Sequence, residues 1–324
     1  MNTTKNIRKI VSLFVLILGL LFGCNPGQKS QYKLESNEPF LVILGIAQDA
    51  GFPQAGMKQN ELWEDPTKKR YATCLALIDP LSKQRWMFEA TPDFKYQLHE
   101  LDKILPVDNV PGLTGIFLTH AHVGHYTGLI HIGHEIIGGK KVPVHAMPRM
   151  HEFLSSNGPW DQLVRYENIE LRKLTKDKSI QLNPRLSVTP FLVPHRDEYS
   201  ETVGFRIQGP NRSVIFIPDI NKWEILDEWG IRIEDLISQV DVALLDGSFF
   251  ADGEVPGRVM SEIPHPFISE SMDRFSVLPE QEIVKIKFIH LNRTNPALFE
   301  ENIEFKEIKA KGFGLAKELE RIRL

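Results

Sequence analysis

The chain has 324 residues, of which 42% are hydrophobic and 25% are charged, with a formal net charge of -4 and a sequence pI near 6.3. This length and apolar content suffice to bury a substantial core, in one large domain or two smaller ones. The mildly acidic balance argues against a nucleic-acid partner, because such proteins carry a basic face. A small molecule is therefore the expected substrate.

The N-terminal residues 1–24 have the layout of an export signal. Three basic residues precede an apolar run over residues 10–22, which is too short for a comfortable membrane span. The segment 21–24, Leu-Phe-Gly-Cys, resembles a bacterial lipobox. It predicts lipidation of Cys24 and an exported protein anchored to a bacterial membrane, facing the periplasm or the cell surface. An ordinary cleaved signal and an uncleaved anchor are the alternatives.

Residues 25–38 are polar, which predicts a flexible tether between the anchor and a folded domain over residues 39–324. The second cysteine, Cys74, lies in an apolar run and is predicted to be a small buried hydrophobic residue. Because lipidation of Cys24 leaves Cys74 alone, neither a disulfide nor a cysteine-based zinc site is expected.

Short apolar strands alternate with helical stretches through the rest of the chain. The strand candidates are rich in β-branched or aromatic residues with turn residues nearby, and they are 40–44, 72–78, 85–88, 115–118, 142–146, 186–192, 204–208, 213–217, 242–245 and 285–289. The helix candidates are 94–104, 127–137, 150–156, 221–228, 233–239, 266–275 and 315–322. Such an alternation favours two sheets covered by outer helices.

The main chemical signal is the segment 119–125, Thr-His-Ala-His-Val-Gly-His, which directly follows the predicted strand 115–118. Residues two apart in an extended segment point the same way, so His120 and His122 can reach one ion. His125, at the turn that follows, can approach the ion from the side. Three imidazoles within six residues suit zinc or iron. Only 11 histidines occur in the whole chain, so a chance histidine-rich loop is a poor explanation.

Three further ligand-type residues, His195, Asp219 and His290, each lie just past the C-terminal end of a predicted strand. Functional groups gather on loops at the ends of a rigid sheet. Taken singly, Asp219 is also explained as the N-cap of a helix and His195 as an ordinary loop residue. Taken together, the three supply the rest of a metal site.

This order of ligand-type residues resembles the metallo-β-lactamase superfamily and, within it, the branch of the pyrroloquinoline quinone biosynthesis protein B. The branch is indicated by Leu-Gly-Ile-Ala-Gln-Asp-Ala-Gly-Phe-Pro-Gln at residues 44–54, by Thr-Gly-Leu at 127–129 and by Phe-Ile-His-Leu-Asn-Arg-Thr-Asn-Pro at 288–296. The resemblance extends from about Pro39 to the C-terminus. It implies an α/β fold, the αββα sandwich of two mixed β-sheets flanked by helices.

The resemblance also implies two adjacent metal positions. His120, His122 and His195 are expected to form the first position, and His125 and His290 the second. Asp219 is expected to be shared by both. Three neutral imidazoles and a water form a catalytic zinc arrangement with one open position. One or two zinc ions are expected, with ferrous iron as the alternative.

The chain departs from the pattern of the superfamily at Gly124, where most members carry an aspartate. The second position thereby loses one ligand and one negative charge, so its affinity should fall. Either a single zinc occupies the three-histidine position, with Asp219 orienting its water or acting as general base, or the metal occupies the second position. The latter set, two histidines and one carboxylate, is that of non-haem iron oxygenases.

The branch typically has cysteines after its Gly-Phe-Pro-Gln stretch, but residues 55–59 contain none, so no structural zinc is expected there. The resemblance further assigns an acidic residue after strand 85–88 to the support of the metal loop, either Glu89 or Asp93, although a plain turn explains both equally well. It also places His265 where it can contact substrate as a catalytic residue, with an ordinary residue before a helix as the alternative.

Three functions remain open on the sequence. The leading hypothesis is a metal-dependent hydrolase, in which metal-bound hydroxide attacks an ester, amide or phosphodiester type bond. The second is a non-haem iron oxygenase or hydroxylase like that implied by the quinone-biosynthesis branch. The third is a lipoprotein that binds metal without catalysis. One fold supports many reactions, so the fold does not choose between them.

Overall fold

Two seven-stranded β-sheets form the centre of the structure, a computed structural model that describes residues 36–324. The strands are β1 (Phe40–Gly45), β2 (Cys74–Asp79), β3 (Gln84–Phe88), β4 (Gly115–Phe117), β5 (Val142–Ala146), β6 (Ile169–Lys173), β7 (Ile180–Asn183), β8 (Leu186–Leu192), β9 (Val203–Gln208), β10 (Ser213–Ile217), β11 (Val242–Asp246), β12 (Ile286–Ile289), β13 (Gly314–Leu315) and β14 (Arg321–Arg323). The first sheet has the order β14-β1-β2-β3-β4-β5-β6, and the second β13-β12-β11-β10-β9-β8-β7.

Each sheet is half antiparallel and half parallel. In the first sheet, β3 to β6 run parallel, and in the second, β10 to β13 run parallel. The remaining pairs in both sheets are antiparallel. The carboxyl ends of neighbouring parallel strands lie at the same edge of a sheet. Side chains that follow β10, β11 and β12 are therefore brought together at one edge.

Phenylalanine rings from both sheets fill the space between them. The ring centroids of Phe88 and Phe117, from the first sheet, are 5.1 Å apart. Phe205 of the second sheet packs edge-on against both, at 5.5 Å from Phe88 and 5.7 Å from Phe117, and Phe216 lies 6.5 Å from Phe88. All four rings are fully buried. Such edge-to-face pairs add to the free energy gained by burying the rings.

Helices flank the two sheets, and short helices also occur in the connecting loops. They are α1 (Asn60–Glu64), α2 (Phe94–Ile104), α3 (Val123–Tyr126), α4 (Pro148–Ser156), α5 (Trp160–Arg165), α6 (Trp223–Glu228), α7 (Ile233–Ser238), α8 (Ile268–Phe275), α9 (Glu280–Ile283) and α10 (Ile303–Ala310). Leu101 of α2 and Met150 of α4 belong to the same apolar cluster as Met87 and Ile116 of the first sheet. The predicted arrangement of two mixed sheets flanked by helices is thus present.

The predicted helix over residues 127–137 is wrong. The chain forms the short helix α3 and then a 3₁₀ helix over Thr127–Ile132. Glycines at positions 128, 133, 138 and 139 weaken an α-helix here. Gly128 also packs so tightly that a Cβ would overlap the carbonyl oxygen of Thr91.

The predicted helix over residues 315–322 is also wrong, because this segment contributes β13 and β14 to the edges of the two sheets. The segment pairs with the outer strands of the two sheets. In a sequence, a short apolar run does not distinguish a helix from a strand. The strands β6 and β7 and the helices α1, α3, α5, α9 and α10 were not predicted. The edge strand β6 carries charged residues on most positions, which hides its strand character.

The predicted signal and the lipidation site Cys24 lie outside the described residues, as does the tether 25–38 except for its last three positions. Among residues 36–324, no helix is long and apolar enough to cross a membrane. The thiol of Cys74 is buried, as predicted.

Candidate metal centre

The carboxylate of Asp219, just beyond β10, lies at the centre of a ring of imidazoles. Its Oδ2 atom is 2.9 Å from Nε2 of His125 and 3.4 Å from Nε2 of both His120 and His290. Its Oδ1 atom is 3.8 Å from Nε2 of His195. Asp219 is only 3% exposed, so these rings replace water around its charge.

Three histidines and Asp219 form the first group of potential ligands. His120, His122 and His195 each place one ring nitrogen, and Asp219 one oxygen, so that all four atoms lie within 4.8 Å of one another. His120 follows β4, and His195 follows β8. His122 is the most exposed of the three, and its Nε2 is 3.3 Å from a carboxylate oxygen of Glu198. The open side of the group is therefore at His122.

The second group consists of Asp49, His125 and His290, whose ligand atoms also lie within 4.8 Å of one another. Oδ1 of Asp49 is 3.7 Å from Nε2 of His125. Asp49 belongs to the loop after β1, a part of the chain in which no ligand was predicted. Both histidines are buried, whereas 43% of the Asp49 side chain is exposed.

A third group joins Asp219 to Asp246 and His265. Nδ1 of His265 is 2.7 Å from Oδ2 of Asp246 and 3.4 Å from Oδ1 of Asp219. Asp246 is the last residue of β11 and is fully buried. Its Oδ1 atom accepts hydrogen bonds from the amide and the hydroxyl of Ser248. This carboxylate therefore fixes both the loop after β11 and the ring of His265.

The second ring nitrogen of several histidines is held by a neighbouring residue. The hydroxyl of Ser248 donates to Asp246, so it accepts from Nδ1 of His290 at 3.0 Å. Nδ1 of His195 donates to Oδ1 of Asn221 at 3.2 Å. These contacts leave the Nε2 lone pair of each ring directed towards Asp219. Such outer contacts fix the tautomer and orientation of metal-binding histidines.

Glu89 supports the histidine loop, as the resemblance implied for one of two acidic residues. It is fully buried, and its Oε1 atom is 3.4 Å from Nδ1 of His125. Asp93, the other candidate, instead accepts a hydrogen bond from the amide of Ala72. Asp93 therefore anchors the segment before β2.

Three residues of the centre have a backbone conformation that non-glycine residues rarely adopt. The φ angles are 38° for Asp49, 79° for Glu89 and 67° for His290. Each such residue costs free energy and persists only where its surroundings hold it. Their grouping around one point indicates that the loops are shaped for the positions of these side chains.

Burial keeps most of the imidazoles neutral. It lowers the pKa of His120 well below the ordinary value and the pKa of His195 to about 4. Burial also lowers the pKa of His122 and of His290. The neutral imidazole is the form that binds a metal ion, so these four rings are ready to act as ligands at neutral pH.

His125 and Asp219 behave differently because each has charged neighbours. Burial lowers the pKa of His125, but the carboxylates of Glu89 and Asp219 outweigh burial and raise it well above the ordinary value. Burial raises the pKa of Asp219, but the surrounding imidazoles, led by His290 and His195 and joined by the hydrogen bond from His125, outweigh burial and hold that pKa well below the ordinary value. The negative charge of the centre thus attracts a cation, which is a proton on His125 when no metal ion is bound.

The atoms of the centre fit a metal ion. Nε2 of His120, His125 and His290 and Oδ1 of Asp219 are buried, and none has a properly aligned hydrogen-bond partner within residues 36–324. Buried polar atoms are normally paired, so four unpaired atoms around one point call for a further group. Imidazole nitrogens and carboxylate oxygens are ligands of both zinc and iron. The His and Asp groups can therefore hold a metal ion.

Comparison with known proteins agrees with this geometry. A family profile described as "Beta-lactamase superfamily domain" matches residues 84–286, from the first residue of β3 to the first residue of β12. The chain belongs to the β-lactamase superfamily. The two mixed sheets and their flanking helices are the metallo-β-lactamase sandwich, which confirms the fold that the resemblance implied.

The relatives of this superfamily member include the predicted branch. Coenzyme PQQ synthesis protein B of Methylobacterium sp. (strain 4-46) is 25% identical over 302 residues, which cover 85% of this chain and 96% of that protein. The crystal structure of zinc-bound PqqB from Methylobacterium extorquens matches with a TM-score of 0.72 at 22% identity, covering 88% of this chain and 100% of the other. A diphosphatase of the PhnP family gives a TM-score of 0.60 at 18% identity, covering 89% and 97%.

The structure brings together all six residues predicted as metal ligands: His120, His122, His125, His195, Asp219 and His290. It places His265 in contact with Asp219. Sequence reasoning missed Asp49, Asp246 and Ser248. Asp246 carries the same signal as Asp219 and His290, a ligand-type residue at the end of a strand. Asp49 lies within the stretch that indicated the branch, but nothing in that stretch marks it as a ligand.

The pair of His265 and Asp246 should titrate above neutral pH in the metal-free protein. Burial lowers the pKa of His265, but the charge of Asp246 outweighs burial and raises it from 6.5 to about 9. We expect an NMR titration to find this value, and Asp246→Asn to bring the pKa below 6.5. Because the folded pKa is raised, the stability from this pair is present in full below pH 6.5 and is lost as the pH rises through 9.

The unfolding free energies of the metal-free wild type and of Asp246→Asn should therefore differ most near pH 6, and the difference should shrink above about pH 9 to the part that comes from the hydrogen bonds of Ser248. Urea titrations at a series of pH values measure this difference. A difference that grows with pH would show that His265 is neutral in the folded protein. His134, which is exposed, serves as the reference histidine in the NMR experiment.

Proposed function

We propose that this protein is a metal-dependent hydrolase that cleaves an ester or phosphodiester type bond in a small anionic molecule. The observation that carries the proposal is the convergence of ligand-type side chains from several strand ends on Asp219, with buried and unpaired nitrogens facing it. If these histidines and carboxylates served only stability, they would be expected to form pairs with one another or to be apolar residues instead.

His120, His122 and His195 would hold a zinc ion, with Asp219 beside them. A bound zinc ion supplies a Lewis acid and a water of lowered pKa at neutral pH. The Asp219 carboxylate stays ionised at neutral pH, so it can accept a proton from a water molecule or orient one. His122, on the open side of the group, is the ligand nearest to the solvent.

His265 is suited to the opposite task. In the metal-free protein the charge of Asp246 raises the pKa of His265 to about 9, and Nδ1 of the ring is bonded to Asp246. The ring also lines the cavity at the mouth of the centre. It can therefore donate a proton to a leaving oxygen or stabilise negative charge there. An ionised carboxylate and a protonated imidazole 3.4 Å apart form an acid–base pair.

The cavity beside the centre has a volume of about 450 Å³, the size of a small-molecule site. Its lining includes His265, the carboxylates of Asp49 and Glu262 and the guanidinium groups of Arg196 and Arg258. Arg196 lies 3.9 Å from a carboxylate oxygen of Glu198, whereas the side chain of Arg258 is exposed and makes no ion pair within the described chain. A guanidinium in this position favours a substrate with a phosphate or carboxylate group. The similarity to a diphosphatase in fold is consistent with a phosphate ester.

An iron-dependent oxygenase is the second candidate. The group Asp49, His125 and His290 consists of two histidines and one carboxylate, the ligand set of non-haem iron oxygenases. The relatives named as coenzyme PQQ synthesis protein B point to the same branch. Native metal content and oxygen dependence distinguish this candidate from the hydrolase.

We expect the full-length protein, purified in detergent, to contain zinc and to hydrolyse bis(p-nitrophenyl) phosphate or p-nitrophenyl acetate without oxygen. Because His122 is expected to bind the ion, His122→Ala should lower kcat/KM by about 100-fold or more. His134→Ala, which removes an exposed imidazole outside the centre, should leave it unchanged. Iron with oxygen consumption would replace this proposal by the oxygenase, and tightly bound metal without turnover would indicate a metal-binding lipoprotein.

Arg258→Ala should weaken the binding of an anionic substrate. We expect KM to rise about tenfold with kcat nearly unchanged, because one charged hydrogen bond is lost in ground state and transition state alike. Arg172→Ala, an exposed arginine on the edge strand β6, is the matched control. Equal KM values for the wild type and Arg258→Ala would exclude a role of this arginine in substrate binding.

The N-terminal residues support export and anchoring through Cys24, and we include this location in the proposal. Cys24→Ser should prevent lipidation, so that the protein moves from the membrane fraction to the soluble fraction. Mass spectrometry of the N-terminal peptide measures the loss of the lipid. If the wild type carries no lipid at Cys24, an ordinary signal peptide or an uncleaved anchor explains the apolar run.

A further inference from the structure

The space next to Gly124 is filled by the side chain of Asp49. A Cβ atom built on Gly124 would overlap both Oδ1 and Cα of Asp49 and would lie 3.0 Å from its Cβ. Position 124 is where the superfamily resemblance leads one to expect an aspartate. A carboxylate is therefore present at this point of the centre, but it comes from the loop after β1.

The carboxylate of Asp49 faces two imidazoles whose Nε2 atoms lack an aligned hydrogen-bond partner in the described chain. Its Oδ1 is 3.7 Å from Nε2 of His125, and the ligand atoms of Asp49, His125 and His290 lie within 4.8 Å of one another. Both rings are buried, and Nε2 of each has no aligned hydrogen-bond partner in the described chain. Two buried nitrogens directed at one point, next to a carboxylate, point to a bound cation.

The loop that carries Asp49 is fastened to the segment that carries His290. The amide of Gln48 donates to the carbonyl of Leu291 at 2.8 Å, and the amide of Leu291 donates to the carbonyl of Ile46 at 2.8 Å. The side-chain amide of Asn292 also donates to Gln48. The residues just before Asp49 are therefore held directly against the residues just after His290.

We propose that Asp49 supplies the carboxylate ligand of a second metal position, together with His125, His290 and the shared Asp219. This inference rests on the proposed metal centre and identifies how its second position is completed despite Gly124. The ligand and the negative charge that Gly124 lacks are restored from the opposite side of the same space. Because Asp49 occupies the space beside Gly124, a side chain at position 124 and an aspartate at position 49 exclude each other.

The test is the number of metal ions bound by the full-length protein in detergent, measured by elemental analysis after dialysis and by competition with a chelator. The wild type should bind about two zinc ions per chain. Asp49→Asn keeps the size of the side chain but removes its charge, so it should retain about one, with affinity for the other reduced at least 10- to 100-fold. Asp177→Asn is the control, because Asp177 is also exposed and has a positive φ of 58°.

Retention of two tightly bound ions by Asp49→Asn would overturn the assignment, as would a wild type that binds only one ion. Circular dichroism and Tm in the presence of a chelator show whether Asp49→Asn is folded. If it is not, the zinc titration is repeated on Asp49→Glu, which keeps the charge and should retain the second ion more tightly than Asp49→Gln. None of these measurements depends on turnover. A failure of the hydrolase proposal can therefore be distinguished from a failure of the Asp49 assignment.

Discussion

The buried charge of Asp219 is the constraint on which the rest of the centre depends. A carboxylate removed from water is costly unless other groups compensate for it. Here the compensation comes from imidazoles of both sheets, which face the carboxylate from several sides. The parallel strands β10 to β12 make this possible because their carboxyl ends lie together. Compensation by rings with unpaired nitrogens leaves the charge available to a cation.

The contacts around the centre determine which nitrogen of each ring faces Asp219. Ser248 holds one nitrogen of His290, and Asn221 holds one of His195, so neither ring can turn over without losing a hydrogen bond. Ser248 in turn donates to Asp246, which also holds His265. One buried carboxylate thus orients two different rings. The centre is therefore organised before any ion or substrate binds, which reduces the free energy needed for binding.

Much of this arrangement could be predicted from the chain, because histidines and aspartates after strands are visible in the sequence. Asp246 was missed although it has the same placement, since a lone aspartate at a strand end is common. Asp49 could not be found in this way, because only the three-dimensional contact with Gly124 shows where its carboxylate lies. The wrong helix at 127–137 has a local cause in its glycines, whereas the edge strand β6 depends on pairing with a partner far away in sequence.

The ligands of the centre come from both layers of the sandwich. His120 follows β4 of the first sheet, whereas His195, Asp219 and His290 follow strands of the second. An ion held by this set would act as a noncovalent cross-link between the early and late parts of the polypeptide. Its binding free energy would then contribute to the cohesion of the two layers as well as to chemistry. Scarcity of the metal would accordingly shorten the lifetime of the folded protein.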